Sequence, residues 1–272
     1  MIKKALRYLL AIGCLSIFII LFFSEKETKE AFEPRDYNEI VASGKLRAVT
    51  VYNQVSLHVV EGNLRGFDYE LLNAFTNDKG LELEITPVTS FEERFNGITE
   101  GRYDLLAAPT AVTSQLKDTL NFTSTLILNK QVLVQRKKTK GKDSLYIESL
   151  LDLANKRIHL IKDSPAMIRI HNLMAEIGDT IYVQEVERYG SEQLLAMVAA
   201  GDIDYAVCEE NVAHASIKDF PNLDIKTEIS FTQFYSWGVN KHSVVLLDTL
   251  NNWLDSYLKS KAYKKLYKKY FH

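Results

Sequence analysis

Cysteine and clustered histidine, the usual signs of a disulfide or a metal site, are scarce in this chain. The 272 residues include two cysteines, Cys14 and Cys208, and Cys14 falls within an apolar run at the N-terminus. The single cysteine outside that run excludes an intrachain disulfide there, so the hydrophobic core must hold the fold together. The six histidines follow no metal-ligand spacing, so we predict neither a metal site nor a cofactor.

The sequence also lacks an excess of charge of one sign and the glycine-rich loops that hold phosphates. Its 33 basic and 35 acidic side chains give a formal net charge of -2. A nucleic-acid-binding domain is normally strongly basic, so we predict no nucleic-acid partner. A composition of 46% hydrophobic and 25% charged residues is typical of a globular protein. The length suits one large domain or two lobes.

One long hydrophobic run is present, and it lies at the N-terminus. Three basic residues precede an apolar stretch that ends at Phe23, after which the sequence becomes polar. The stretch is roughly nineteen residues long, close to the ~20 that a helix needs to cross a bilayer. Because basic flanks stay in the cytoplasm, the rest of the chain is expected outside. We predict a transmembrane anchor at residues 1–23 and a charged tether at residues 24–43.

Two other interpretations of the N-terminal segment stay open. A cleaved secretory signal has the same charge polarity, although no small-residue cleavage site follows Phe23. Alternatively, Ala11-Ile12-Gly13-Cys14 resembles a bacterial lipoprotein box, in which Cys14 is lipidated after cleavage. All three interpretations export the domain, and an anchor places it at the periplasmic face of the bacterial inner membrane.

A helix, a glycine and a buried strand occur twice in the sequence, about a hundred residues apart. The helical pattern that begins at Phe91 is followed by Gly101-Arg102-Tyr103-Asp104 and an apolar strand. The helical pattern that begins at Ser191 is followed by Gly201-Asp202-Ile203-Asp204 and a strand that ends at Glu209. This repeat indicates two similar α/β lobes with loops that face each other, although helix-glycine-strand units also recur by chance.

The lobe boundaries follow from two segments with strand patterns. Residues 126–134 look like one long strand, and a basic, exposed turn begins at Arg136, where we place the first crossing between the lobes. Residues 231–239 are strand-like again and are expected to cross back. We therefore predict a first lobe at residues 44–135 and 230–272 and a second lobe at residues 136–229.

The order of these elements resembles that of periplasmic solute-binding proteins of the amino-acid-binding type. The resemblance covers residues 43–272 and implies a bilobed α/β fold of type II, in which two crossing strands join the lobes. In such proteins a ligand closes the two lobes by a hinge motion. The motifs that carry the resemblance are Gly44-Lys45-Leu46-Arg47-Ala48-Val49-Thr50, Gly66-Phe67-Asp68-Tyr69-Glu70-Leu71, Gly101-Arg102-Tyr103-Asp104-Leu105-Leu106-Ala107-Ala108 and Gly201-Asp202-Ile203-Asp204-Tyr205.

Within that family, the chain is similar to the non-catalytic binding domain of the membrane-bound lytic murein transglycosylase F group. Tyr189-Gly190-Ser191-Glu192-Gln193-Leu194-Leu195 and Trp237-Gly238-Val239-Asn240 carry this similarity, together with the motif at Gly66. In that group a lysozyme-like catalytic domain follows the binding domain, and we expect none in a chain that stops at His272. Glu148-Ser149 matches the glutamate-serine pair of lytic transglycosylases but no glycine-rich substrate loop follows it, so we predict no catalytic residue and no enzyme.

The resemblance also implies a set of ligand-binding residues. Tyr52 is expected to stack on the ligand, and Glu209 is expected to pair with a ligand ammonium group. The family's arginine that clamps a ligand carboxylate is replaced by Leu116, and Lys117 substitutes for it poorly. We therefore expect a cationic or amine-bearing ligand, with a peptidoglycan fragment or no ligand as alternatives. The predicted ligand-binding residues are Tyr52, Phe67, Asp68, Thr110, Thr113, Ser164 and Glu209.

From these patterns we predict a membrane-tethered, extracytoplasmic domain that closes on a small ligand for sensing or uptake. Its expected partners are the ligand, the membrane, and a transporter, a sensor or a cell-wall enzyme. The alternative is an accessory or degenerate member of the transglycosylase F group that acts in peptidoglycan turnover. A dehydratase of the same fold is disfavoured, because it needs a carboxylate-binding arginine in the cleft.

Overall fold

The structure is a computed structural model that describes residues 32–138 and 145–271. The chain divides into two compact units, residues 1–33 and 34–272, and every element described below belongs to the second unit. The predicted anchor at residues 1–23, with its cysteine, lies outside the described residues. Within the described ranges, no helix is both long enough and apolar enough to span a membrane.

The second unit consists of strands and helices that alternate along much of the chain. In chain order, its elements are α1 (Tyr37–Ser43), β1 (Lys45–Thr50), β2 (His58–Val60), β3 (Asn63–Arg65), α2 (Phe67–Lys79), β4 (Glu82–Pro87), α3 (Phe91–Thr99), β5 (Leu105–Ala111), α4 (Ser114–Thr119), β6 (Leu120–Phe122), β7 (Ile127–Asn129), β8 (Gln131–Arg136), β9 (Arg157–Ile161), α5 (Ala166–Ile177), β10 (Tyr182–Val186), α6 (Ser191–Ala200), β11 (Ala206–Glu209), α7 (Glu210–Ser216), β12 (Leu223–Asp224), β13 (Gln233–Asn240), α8 (Val244–Tyr257) and α9 (Lys261–Phe271). Short 3-10 helices span Leu150–Leu153 and Ile217–Asp219.

The first lobe is built on a sheet with the strand order β4-β1-β5-β13-β6, in which β7 also pairs with β13. β1 runs parallel to β4 and β5, whereas β13 runs antiparallel to β5. Helices α2 and α8 cover the sheet with fully buried side chains that include Phe67, Phe75 and Leu250. Because the C-terminal ends of parallel strands meet at one edge, the loops after β1 and β5 lie together there.

The second lobe is built on a sheet with the strand order β10-β9-β11-β8-β12. β9 runs parallel to β10 and β11, whereas β8 runs antiparallel to β11. Buried side chains form separate clusters that include Leu133 and Ile158 in one case and Val132 and Leu194 in the other. Because Val132 and Leu133 alternate along β8, the two clusters lie on opposite faces of the sheet. The loops after β9 and β11 meet at the same edge.

The first crossing between the lobes lies at Lys130, earlier in the chain than predicted. β7 pairs with β13 in the first lobe, whereas β8 pairs with β11 in the second lobe. The predicted boundary after Gln135 therefore assigns β8 to the wrong lobe. Residues 126–134 look like one strand in the sequence because β7 and β8 are both largely buried. The passage of the chain from one sheet to the other causes no clear change in the hydrophobic pattern.

Residues 36–43, predicted as part of a tether, instead pack on the first lobe. The carboxylate of Asp36 caps α1, and it also accepts hydrogen bonds of 3.1 and 2.7 Å from the N–H groups of Val245 and Leu246 at the start of α8. Ile40 is fully buried in the core of the first lobe. One aspartate thus satisfies the open N–H groups of two helices and ties α1 to α8.

The repeated helix-glycine-strand unit is present once in each lobe. Gly101, just after α3, has a φ of +77°, and Gly201, at the end of α6, has a φ of +91°. Both values lie in the left-handed region that glycine adopts without a Cβ penalty, which ends the helix and turns the chain into the next strand. The strand after Gly101 is β5, which pairs with β1, and the strand after Gly201 is β11, which pairs with β9.

The aspartate of each Gly-x-x-Asp unit binds arginine. Asp104 is buried and accepts from Nε and Nη2 of Arg35 at 3.0 and 2.5 Å, and from Nη2 of Arg47 at 2.9 Å. Asp204 is half exposed and pairs with Arg136 of β8. The aspartate in both copies therefore ties the turn to a neighbouring segment of its lobe.

Candidate functional site

A cavity lies between the two lobes, where the loops after β1, β5, β9 and β11 converge. It contains about 920 Å³ of space, part of which is open to solvent. This position, beyond the carboxyl ends of parallel strands, is the one at which open α/β sheets bind ligands. The polar side chains that line it include Tyr52, Asn53, Ser56, Thr89, Arg94, Thr110, Asn129, Gln131, Ser164, Ser191, Glu209, Asn211 and Tyr235.

Four of the seven predicted ligand-binding residues line this cavity, and they come from both lobes. Tyr52 and Thr110 follow or end strands of the first lobe, whereas Ser164 and Glu209 do so in the second. Tyr52 is 54% exposed, so its side chain is accessible to a ligand in the cavity. The Thr110 hydroxyl donates a 2.9 Å hydrogen bond to the carbonyl of Ala108, which leaves its oxygen lone pairs available as acceptors.

The other three predicted residues lie outside the cavity. Phe67 and Asp68 are fully buried in the first lobe, so they do not reach the cavity surface. The Thr113 hydroxyl caps α4 by accepting from the N–H of Leu116 at 3.2 Å, and both residues line an adjoining cavity instead. The motif around Phe67 thus builds the core behind the site, because its side chains point into the first lobe.

Gly66 and Asp68 support the cavity wall from behind. Gly66 has a φ of +138°, and a Cβ there would lie 2.2 Å from the carbonyl oxygen of Ser56, which lines the cavity. Asp68 accepts a 2.9 Å hydrogen bond from Nε1 of Trp237, and its Oδ2 has no hydrogen-bond partner among the described residues. Burial raises the pKa of Asp68 to about 8, so this carboxyl is largely protonated at neutral pH.

Glu209 supplies the negative charge of the site. It is the last residue of β11 and precedes α7, and its Oε2 accepts a long 3.5 Å contact from the hydroxyl of Ser191. Burial raises the pKa of Tyr235 and of Cys208. The negative charge of Glu209 nearby raises both pKa values further. No described cation forms an ion pair with Glu209, so its carboxylate is available to a ligand.

Arg94 supplies the positive charge, and the sequence reasoning did not identify it. It belongs to α3 and is only 8% exposed, yet it lines the cavity. Its Nη1 donates to the carbonyls of Val88 and Thr89 at 2.6 and 2.7 Å, and its buried Nε has no partner among the described residues. Burial lowers the pKa of Arg94 to about 10, and the nearby charge of Glu209 opposes that change.

A signal for Arg94 was present in the sequence. Phe91, Arg94 and Ile98 are spaced i, i+3 and i+7, which places the arginine on the apolar face of the helix. A charged side chain on a buried helix face needs a partner or a function. The guanidinium also lies 5.7 Å from the ring centroid of Phe91, within the range of a cation-π interaction.

Gln131, the first residue of β8, adds an unpaired acceptor at the crossing between the lobes. Its side chain is buried, and its Nε2 donates a 3.0 Å hydrogen bond to the hydroxyl of Tyr235. Its Oε1 has no partner among the described residues, although the side chain lines the cavity. A buried amide oxygen without a donor is costly, so a ligand N–H group is a suitable partner.

The charge of the cavity is balanced. Among the described residues that line it, Arg94 and Glu209 alone carry a formal charge. Within the described ranges, no three His, Cys, Asp or Glu side chains converge as a metal site. The Glu148 carboxylate lies elsewhere, exposed and paired with Lys138. The arrangement is suited to holding a small polar molecule by hydrogen bonds and charge.

Comparison with known proteins connects this geometry to a family. Residues 47–272 match the profile of the family described as Bacterial extracellular solute-binding proteins, family 3. The membrane-bound lytic murein transglycosylase F of Desulfosudis oleivorans is 24% identical over 229 residues, which cover 84% of this chain and 49% of that protein. The chain thus spans about half the length of the curated relatives it matches, and the predicted similarity to this group is confirmed.

Solved structures share the fold. An ancestral amino acid-binding protein, a precursor of cyclohexadienyl dehydratase, has a TM-score of 0.74 at 21% identity and covers 86% of this chain and 99% of its own. An ancestral arginine-binding protein bound to arginine has a TM-score of 0.73 at 26% identity and covers 84% of this chain and 99% of its own. The predicted bilobed α/β fold is therefore confirmed, and the profile match over most of the chain shows that this protein belongs to the bacterial extracellular solute-binding proteins, family 3.

Proposed function

We propose that this chain is an extracytoplasmic solute-binding domain whose two lobes close on a small ligand by a hinge motion at the two crossings. The observation that carries this proposal is the cavity between the lobes, with a buried arginine from one lobe and a glutamate from the other. A ligand that contacts both charges favours the closed arrangement over the open one, because only closure brings the two lobes around it.

The proposed ligand is a small polar molecule with an amine. Glu209 and Oε1 of Gln131 are acceptors that a protonated amine satisfies, and the accessible side chain of Tyr52 lines the same cavity. Amino-acid-like compounds, other amines and muropeptides fit this description. The ancestral arginine-binding protein of the same fold was solved with arginine, which supports the amino-acid-like class.

The proposed role of ligand binding is sensing or uptake at the periplasmic side of the inner membrane. The apolar N-terminal segment at residues 1–23 supplies the proposed anchor, and the family description supports export. A tethered receptor stays close to a membrane transporter, a sensor or a cell-wall enzyme, which are its proposed partners. Mass spectrometry of the N-terminus of the membrane-extracted protein distinguishes a retained anchor from a lipidated Cys14 or a cleaved signal.

A thermal-shift screen of the purified full chain against amino acids, polyamines and muropeptides tests the binding function. A compound that binds only the folded state raises the Tm, by an amount that grows with its concentration relative to Kd. We expect at least one compound to raise the Tm of the wild type. If no compound does so, the solute-binding function is contradicted.

A second function is favoured by the relatives named membrane-bound lytic murein transglycosylase F. We propose, as the alternative, an accessory role in peptidoglycan turnover, in which the cavity binds a wall fragment and another chain performs the cleavage. Muropeptides alone then raise the Tm, whereas free amino acids and polyamines do not. Incubation of the chain with purified cell wall is expected to release no anhydro-sugars, and their release contradicts the proposal that the chain is not an enzyme.

A further inference from the structure

We propose that α9 binds the surface of an anionic membrane through a row of lysines, so that the tethered domain lies against the bilayer. The row consists of Lys261, Lys264, Lys265 and Lys268. This inference rests on the proposed membrane-tethered, extracytoplasmic function. It gives the chain a second contact with the membrane, separate from the proposed anchor and from the cavity between the lobes.

The four lysines share one face of α9. They are spaced i, i+3, i+4 and i+7, which places them side by side on a helix, and all four are exposed. The opposite face packs against the core of the first lobe through Tyr263, Leu266, Tyr267, Tyr270 and Phe271. The helix therefore presents the row to solvent while its apolar face is used inside the protein.

Contacts with the first lobe hold α9 in this orientation. The hydroxyl of Tyr263 donates a 2.8 Å hydrogen bond to the carbonyl of Leu126, and the hydroxyl of Tyr270 donates a 2.6 Å hydrogen bond to Glu70. Because the aromatic side chains are packed in the protein, they are not available for insertion between lipids. The expected contact with a membrane is therefore electrostatic and lies at the level of the headgroups.

The row has no counter-charge in the described part of the chain. None of its lysines forms an ion pair there, whereas the neighbouring Lys269 pairs with Glu70 at 2.6 Å. No acidic residue follows Asp255 in the sequence, although the whole chain has a formal net charge of -2. On other elements, an acidic partner is present for Lys45, Lys79, Lys130, Lys138, Lys162 and Lys226.

Such a row is unfavourable for the helix itself. Like charges three and four positions apart repel each other, and a positive charge in the first turn, as at Lys261, opposes the helix dipole. The dipole favours only Lys268, which lies in the last turn. A pattern that breaks these local rules without a gain inside the protein indicates a function, and an anionic surface would relieve the repulsion.

A membrane surface fits the row better than a protein partner does. Lysine is depleted in protein interfaces, whose strongest contacts are usually made by aromatic side chains and arginine. Lysine clusters beside a membrane are attracted to anionic headgroups, and the attraction grows with each lysine. Only residues 24–33 separate the proposed anchor from the second unit, so the tether raises the effective concentration of the row at the bilayer.

The reactivity of individual lysines in lipid nanodiscs tests this inference. The purified full chain is placed in discs of phosphatidylcholine alone or with about 30% phosphatidylglycerol, and acetylation by a water-soluble succinimidyl ester is followed by mass spectrometry. We expect each lysine of the row to react at least about threefold more slowly in the anionic discs, and this protection to disappear in about 0.5 M salt. Lys117 and Lys241, which are exposed on other parts of the chain, should react equally in both discs.

The outcomes separate this inference from the functions on which it rests. Equal rates for the row in the two discs overturn the membrane contact but leave solute binding, which the thermal-shift screen measures, intact. A chain that does not enter neutral discs lacks a retained anchor. It should then co-sediment with anionic vesicles and not with neutral ones, and its failure to do so also overturns the inference.

A variant of the row adds a second test. Glutamine keeps the helix propensity without the charge, and the exposed Lys259 just before α9 remains as a reporter that we expect to be protected in the wild type. The row variant combines Lys261→Gln, Lys264→Gln, Lys265→Gln and Lys268→Gln. The control variant loses the same number of charges through Lys117→Gln, Lys156→Gln, Lys226→Gln and Lys241→Gln.

We expect the protection of Lys259 in anionic discs to be lost in the row variant and kept in the control variant. Circular dichroism and Tm report folding, and the row variant should melt no lower than the wild type because repulsion between like charges is removed. Protection of Lys259 that persists in a folded row variant, or that is lost equally in both variants, overturns the inference.

Discussion

The backbone N–H of Gln54 in the first lobe donates a 2.7 Å hydrogen bond to Oε1 of Glu192 in the second lobe. The same Oε1 accepts a weaker, 3.5 Å contact from the hydroxyl of Ser216. Glu192 lies in the first turn of α6, in the repeat that faces the cavity. The bond from Gln54 to Glu192 links the lobes outside the crossing strands. A second link, a 2.8 Å hydrogen bond from the side-chain amide N–H of Asn129 to the amide oxygen of Asn211, lies beside the crossing at Lys130, because Asn129 ends β7.

Loss of the Glu192 carboxylate is expected to favour the open arrangement of the lobes. The bond is charge-assisted but exposed, so Glu192→Ala should shift the ratio of closed to open molecules by about fivefold, or ~1 kcal/mol. Small-angle X-ray scattering of the ligand-free protein measures this as an increase in the radius of gyration. Asp202→Asn, an exposed change in the same lobe, is the control, and equal radii for the two variants contradict a linking role for Glu192.

Removal of the Glu209 charge is expected to weaken binding of an amine-bearing ligand. Glu209→Gln keeps the shape of the side chain but loses a charge-assisted hydrogen bond, so the Kd should rise by about ten- to a hundredfold. Calorimetry with the compound that gives the largest thermal shift measures the change. Asp219→Asn, an exposed acid outside the cavity, should leave the Kd unchanged. An equal effect of both substitutions indicates a long-range charge effect instead of contact.

The buried carboxyl of Asp68 predicts a specific pH dependence of stability. Its pKa is raised from 3.8 to about 8 in the folded state, so the folded protein holds a proton that the unfolded chain releases. This contribution to stability is complete below pH 4 and is lost as the pH rises through 8. Its slope reaches at most ~1.4 kcal/mol per pH unit.

Asp68→Asn isolates that contribution, because the amide oxygen still accepts from Trp237 but the side chain does not titrate. Urea unfolding at pH 5 and pH 8 gives the free energy of unfolding for both proteins. The wild type should lose more stability between these pH values than the variant does. If the two proteins lose the same amount, the protonated state of Asp68 is not supported.

The two Gly-x-x-Asp units provide a matched pair of stability variants. Asp104→Asn removes a buried carboxylate that two partly buried arginines share, and should lower the free energy of unfolding by about 3–5 kcal/mol. Asp204→Asn removes a half-exposed carboxylate from one ion pair and should cost about 1 kcal/mol or less. Denaturant unfolding measures both values. Similar costs for the two variants contradict the structural difference between the copies.

Gly66 and Gly62 form a second matched pair. Both have a positive φ, but a Cβ meets the carbonyl oxygen of Ser56 at 2.2 Å only at position 66, and at position 62 it meets nothing within 4 Å. Gly62→Ala should therefore lower the free energy of unfolding by about 1 kcal/mol, from backbone strain alone. Gly66→Ala should cost at least about 1 kcal/mol more, because the Ser56 backbone must move. Thermal unfolding of both variants gives the comparison, and equal Tm values contradict the close contact.

Much of the fold was predictable because each helix and strand is specified by the pattern of apolar residues and glycines within a short segment of the sequence. The glycines at 101 and 201, each between a helical pattern and an apolar strand, predicted one α/β unit in each lobe. The crossing at Lys130 was not predictable, because β7 and β8 follow each other in a nearly continuous apolar run and differ only in the sheet they join. The packing of α1 was hidden for a similar reason, since Asp36 caps a helix that begins more than two hundred residues later.

The site was predictable only in part. Tyr52, Thr110, Ser164 and Glu209 line the cavity because they follow or end strands whose direction the sequence indicated. Phe67 and Asp68 belong to a recognisable motif, but the direction of their side chains depends on the packing of α2 against Trp237. Arg94 was missed because two other charged residues, Glu92 and Glu93, precede it in α3. Its spacing from Phe91 and Ile98 places it on the apolar face of the helix but does not show that it lines a cavity.

Binding of a small solute between the lobes is tested most directly by calorimetric titration of the wild type and of the double variant Arg94→Met, Glu209→Gln. The double variant keeps the cavity uncharged overall, as in the wild type, but removes both charged groups that are proposed to contact the ligand. Amino acids, polyamines and muropeptides are titrated into the purified full chain. We predict that at least one compound binds the wild type and that its affinity falls by about a hundredfold or more in the folded double variant. Binding of no compound by the wild type, or equal affinity in the two proteins, would contradict a ligand site at this cavity.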